Sequence, residues 1–226
     1  MIPLRHHLLT DVLTIGAPYP LVLAGGYAVR AHGLMPDASV EGPLEVATES
    51  PEPMDRVAAT VRTGLTERCW LVRPLEIDPL SARLLVTGVE GADEHPVDLV
   101  KETLWQRPVA TDLGPALSLE DLIGTKVRAL ADRGTARDLT DVHAAAAHWS
   151  FPDLEEQGRR HAWDEFDPAD LQSRLEATEL LDDREFTTRG VAAEAVPALR
   201  RWVRAWADDI AERLLEQEAL RPPTEE

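Results

Sequence analysis

The chain is poor in several things that would have narrowed its function at once. It has a single cysteine, Cys69, so it forms no internal disulfide and no cysteine-built zinc cage. Cys69 precedes Trp70 among apolar neighbours and reads as a buried core thiol. Aromatic residues make up only 5% of the chain, and lysine is almost absent: of 23 basic residues only Lys101 and Lys126 are lysine. No apolar run approaches the roughly 20 residues that cross a bilayer. The beginning, Met-Ile-Pro-Leu-Arg-His-His, lacks an apolar signal core, which makes the cytoplasm the expected compartment and a membrane partner unexpected. Positive charge is also scarce. A formal net charge of −18 sets a field that repels nucleic acid globally while leaving room for a local basic groove.

What is present is an ordinary folding chain. Hydrophobic residues are 44% and charged residues 28% of 226, enough for one large domain or two small ones. An amphipathic stripe at Leu4, Leu8, Leu9, Val12 and Ile15 predicts a first helix. Leu21–Ala24 reads as a short buried strand, followed by a helix over Gly26–Gly33. Leu44–Ala47 reads as a strand. Ser50 and Pro51 read as an N-cap and first turn, followed by a face of Met54, Val57, Ala58, Val61 and Leu65. Strands are expected at Trp70–Val72, Arg83–Val89 and His95–Val100. Beyond about residue 115 the pattern turns helical. Ser118 to Asp121 resembles a capping box, Gly134 interrupts, and Ala136–Trp149 continues the helix. Further helices are expected within Phe151–Arg174, broken near Pro168, and a last long one begins at Pro197. The expected division is an α/β domain over 1–115, a helical domain over 116–220 and a disordered tail over 221–226.

Two local features carry chemistry. Gly25 and Gly26 end an apolar run just where a helix begins, which suits a phosphate cradle or a plain tight turn. Asp98 lies between Val97 and Leu99, and Glu45 between Leu44 and Val46. Alternation in a strand turns each acid to the face opposite its apolar neighbours, where a carboxylate needs a partner. With Glu41 they form a set of acids that could converge on Mg²⁺, or could be solvated acids at loop edges.

Leu23-Ala-Gly-Gly-Tyr-Ala-Val-Arg-Ala-His-Gly-Leu34, Pro96-Val-Asp-Leu-Val-Lys-Glu102 and the run 117–142, with its Lys126 and Arg137-Asp138-x-x-Asp141 pattern, together resemble the AbiEii/AbiGii-type nucleotidyltransferase toxins of the polymerase-β-like superfamily. The resemblance implies an α+β fold: a small mixed sheet flanked by helices, then a helical C-terminal region. It implies Mg²⁺-dependent transfer of a nucleoside monophosphate from an NTP to RNA or protein, and an antitoxin partner. Carried over, Gly25 and Gly26 hold phosphates. Glu41, Glu45 and Asp98 bind the metal, and Lys126 meets the triphosphate. Asp37, Ser39, Arg133, Arg137 and Asp138 fall on the remaining substrate-binding positions, although Arg133, Arg137, Asp138 and Asp141 could equally form an intrahelical ion-pair set.

The acidic motif departs from the family pattern. The family shows Arg, then Ser or Thr, then Asp-x-Asp. Here Asp37 stands at the Arg position, and Glu41 and Glu45 are separated by a Gly42-Pro43 insertion. Asp-x-Asp in a strand sets two acids about 7 Å apart on one face; Gly-Pro interrupts that strand. The alternatives are therefore a scaffold turned to a small-molecule substrate with acid–base chemistry, or a non-catalytic binding protein that uses Trp202 and Trp206 as a docking face.

Overall fold

The computed structural model describes residues 4–34, 42–88, 91, 93–162 and 164–220. The expected positions Asp37, Ser39 and Glu41 and the tail 221–226 lie outside the described residues. Two compact units divide the chain, Met1–Leu122 and Ile123–Glu226.

In the first unit, α1 (Leu4–Ile15) leads to β1 (Val22–Leu23), α2 (Gly25–Ala31), β2 (Leu44–Thr48), α3 (Met54–Glu67), β3 (Trp70–Ile77), β4 (Ser81–Gly88), β5 (Glu94–Lys101), β6 (Val109–Thr111) and β7 (Gly114–Ala116). The strands form one mixed sheet in the order β3-β4-β5-β2-β1-β7-β6. β2 runs parallel to β5, and β1 parallel to β7; the other neighbours are antiparallel. Alternation along the central strands sorts side chains to two faces. Leu23, Val46, Leu84, Val97 and Leu99 join Leu8, Leu9 and Val12 of α1 and Met54, Val57, Val61 and Leu65 of α3 in the larger core. Val22 and Ala47 face the other way, into a second core with Ala28 and Val29 of α2 and with Leu117 and Leu122. Each fully buried Leu or Val stabilises by about 1.5–3 kcal/mol.

Several expectations are corrected by local physics. Helix α3 begins at Met54 behind Pro53, so Ser50 is no helix cap. Residues before Pro51 and Pro53 are pushed out of the helical region, and the Lys101 ammonium binds the carbonyls of Ser50 and Glu52 instead. Cys69 is exposed, not buried. It ends α3 at φ +66 with its N–H on the Thr66 carbonyl. The first strand is only two residues long, and α2 starts at Gly25 itself.

The second unit is helical. Helix α4 (Leu119–Arg133) crosses the boundary, and α5 (Ala136–Ala145), α6 (Phe151–His161), α7 (Pro168–Ala177), α8 (Asp183–Thr187) and α9 (Val196–Ala219) follow. Helix α5 stops at Ala145 and gives way to a short 3₁₀ turn rather than reaching Trp149. The expected break near Pro168 separates α6 from α7, and Pro168 itself opens α7 at a position that needs no N–H. Trp206 is fully buried and stacks on Phe151, and Trp202 meets both rings edge-on. The face that a docking module would need is thus largely core. Among the described residues no helix is long and apolar enough to cross a membrane.

Candidate functional site

The β1–α2 turn is built by close approach. Ala24 is extended at φ −130 and caps α2 without a side-chain acceptor, so no cap side chain binds the first N–H groups of the helix. The Ala24 N–H donates to the Glu45 carbonyl at 2.9 Å. Gly25 then takes φ +53, and a Cβ placed on it would lie 2.8 Å from Glu45 Oε2 and 3.0 Å from Glu45 Cβ. Both the dihedral and the space therefore require glycine at position 25. At the far end of the helix, His32 Nε2 donates to the Leu117 carbonyl at 2.8 Å.

Strand register sets a row of charge beside this turn. Glu45 of β2 pairs directly with Asp98 of β5, Asp98 with Arg83 of β4, and Arg83 with Glu76 of β3. Directly paired residues share a face, with neighbouring strands about 4.8 Å apart. Arg83 Nε donates to Asp98 Oδ1 and Arg83 Nη2 to Asp98 Oδ2, both at 2.7 Å. The Asp98 carboxylate, with Glu76 and Glu45 adding negative charge, raises the Arg83 pKa above its usual value.

Mg²⁺ asks for several oxygen ligands in near-octahedral array. Asp98 already directs both oxygens at a guanidinium. Among the described residues no group of three or more His, Cys, Asp or Glu side chains could hold a metal ion. The Asp98 carboxylate, with both oxygens held by Arg83, therefore does not fit as it stands the ion that the family resemblance implies.

The expected residues of the second unit form two ion pairs between α4 and α5. Lys126 Nζ donates to Asp141 Oδ2 at 2.6 Å, with both side chains buried. Arg133 grips Asp138 through Nε at 3.2 Å and Nη2 at 2.5 Å. Thr135 caps α5 by accepting from the Asp138 N–H, and its hydroxyl donates back to the Asp138 carboxylate at 2.6 Å. Arg137 is half-buried, and its carbonyl accepts from the Thr140 hydroxyl. The pairs thus join two helices rather than turns of one.

Residues 92–208 match the family model described as nucleotidyl transferase AbiEii toxin, type IV TA system. The chain belongs to the AbiEii family. Three solved structures resemble this AbiEii protein across most of its length. JHP933 from Helicobacter pylori aligns at TM-score 0.51 and 18% identity, covering 97% of both chains. A candidate nucleotidyltransferase from H. pylori aligns at 0.56 and 18%, covering 92% of this chain and 96% of that one. MenT4, a nucleotidyltransferase toxin from Mycobacterium tuberculosis H37Rv, aligns at 0.53 and 19%, covering 91% and 82%. At such identities the likeness is one of fold, and that fold is the α+β nucleotidyltransferase type. No curated protein sequence matches the chain. The family match includes Asp98, Lys126, Arg133, Arg137 and Asp138, whereas Gly25, Gly26 and Glu45 precede it.

Arg83 is the member of the AbiEii row that sequence reasoning missed. The available signal was a lone arginine among apolar residues, Ala82-Arg83-Leu84-Leu85, in a strand. Such a charge asks for a carboxylate on a neighbouring strand, just as Asp98 asks for a cation.

Proposed function

We propose that this AbiEii chain is a nucleotidyltransferase-type toxin that takes a nucleoside triphosphate at the β1–α2 turn beside the Glu45–Asp98–Arg83 row. In this reading the N–H groups at Gly25 and Gly26 receive phosphate oxygens, and Asp98 and Arg83 orient the bound nucleotide. An acceptor hydroxyl on RNA or protein attacks the α-phosphorus, the α–β phosphoanhydride bond breaks, pyrophosphate leaves and the hydroxyl proton passes to solvent. The observation that carries the reading is the register: Glu45 and Asp98 are direct partners, and Glu45 is the side chain against which Gly25 turns. Lys126, Arg133 and Asp138 serve here as the frame of the helical unit, in keeping with their ion pairs.

Calorimetric titration with each NTP, with and without Mg²⁺, tests the reading. The expected result is binding that is lost in Asp98→Ala while the fold persists. Binding of no NTP by the intact chain overturns it. The toxin element has its own test: induced expression should arrest bacterial growth, Asp98→Ala should relieve the arrest, and a co-expressed antitoxin should do the same.

A second reading is favoured by the engagement of both Asp98 oxygens by Arg83. The scaffold would then act on a small molecule without nucleotidyl transfer. Incubation of α-labelled NTPs with cellular RNA and protein separates the two. Covalent label on either acceptor supports transfer, and its absence despite tight NTP binding supports the altered scaffold.

A further inference from the structure

The acid row carries a cation of its own. The antiparallel register places Arg83 opposite Asp98, and the planar fork meets the planar carboxylate through two parallel bonds of 2.7 Å. The Asp98 side chain is 11% exposed and the Arg83 side chain 52%, so the carboxylate is the buried partner of the pair and the guanidinium the exposed one. Glu45 and Glu76 flank this pair in the register and direct further negative charge at the same guanidinium. Arginine stays protonated at every physiological pH, so the counter-charge is permanent.

We propose that Arg83 is the resident cation of this row and takes the place of a divalent ion at Asp98. A metal binding Asp98 would have to share or displace a guanidinium N–H at the oxygen it takes, and would lie beside the fixed positive charge of Arg83. Asp98 is instead paired from within the sheet, and a ligand meets it with both oxygens already engaged. The inference concerns the same row as the proposed nucleotide site. Its test uses metal alone, so its outcome is separate from that of NTP binding.

The probe is Mn²⁺, read by electron paramagnetic resonance of the free ion, on the full chain and three variants: Asp98→Asn, Arg83→Gln and the double variant. Circular dichroism and thermal melting establish that each is folded. The wild type and Asp98→Asn should bind Mn²⁺ alike, or neither should bind. Arg83→Gln should bind about tenfold more tightly than the wild type, a gain of about 1.4 kcal/mol, and the double variant should lose that gain. Wild-type binding that weakens about tenfold in Asp98→Asn overturns the proposal, as does a folded Arg83→Gln with no gain. Should Arg83→Gln fail to fold, Arg83→Lys replaces it. Lysine keeps the charge but not the fork, so one Asp98 oxygen is released and a smaller Asp98-dependent gain is expected; no gain overturns the proposal.

Discussion

Cys69 holds a conformation that suits another residue better. At φ +66 it follows α3 in the left-handed region, where a Cβ is crowded and glycine is the usual occupant. Cys69→Gly should therefore stabilise the protein by about 1 kcal/mol, seen in calorimetry as a melting point about 2–4 °C higher. An unchanged or lower melting point removes the strain argument. Gly25 runs in the opposite direction. Gly25→Ala meets both a positive φ and the Glu45 side chain, and should cost about 2 kcal/mol. NTP titration of this variant should show weakened binding even where it remains folded. A variant as stable as the wild type would show that the turn relaxes easily.

Between elements, buried carboxylates do much of the joining. Glu155 of α6 accepts from Trp206 Nε1 at 2.9 Å and from both terminal nitrogens of Arg213, at 3.0 and 2.6 Å, which ties α6 to α9. Glu155→Ala leaves Trp206 without that acceptor and Arg213 without half its partners, and should cost about 3 kcal/mol in urea unfolding. A loss below about 1 kcal/mol would match an exposed pair instead. Elements of this kind differ in how plainly the sequence announces them. Helix α1 follows its apolar stripe to the residue, and the buried face of α3 is the one its periodicity names. Strand β3 is longer than expected because Pro74 and the charges around it are tolerated on a sheet edge. The three-residue strands β6 and β7 have no period to read. The site divides along the same line. Asp98 stands out as a lone acid in an apolar strand. Its pairing with Glu45 depends on β5 lying next to β2, and its pairing with Arg83 on the hairpin register, and neither is local information. Lys126 stands out as one of only two lysines, but its burial depends on α5 packing against α4.

For the molecule as a whole, acid is a threat that begins well above the isoelectric point of about 4.7. His95 is buried, and neither ring nitrogen has a hydrogen-bond partner among the described residues. Burial first, and Arg5 second, lower its pKa from the ordinary 6.5. Burial also lowers that of His143. Below 6.5 the unfolded chain binds more protons than the native one, so stability is full above that value and falls as pH drops toward the native pKa values. Urea midpoints measured across this range should decline with acidity, and His95→Phe should make the decline shallower. A slope unchanged in the variant would assign the loss to His143 and the carboxylates.

The scarcity of lysine has a practical outcome. Lys101 spends its ammonium on two backbone carbonyls in the first compact unit, and Lys126 is buried against Asp141 in the second. An amine-reactive ester should modify neither quickly in the native protein and each promptly once its surroundings open. Mass spectrometry of the two lysine-containing peptides would then time the opening of each unit separately, with one built-in clock apiece and no engineered label.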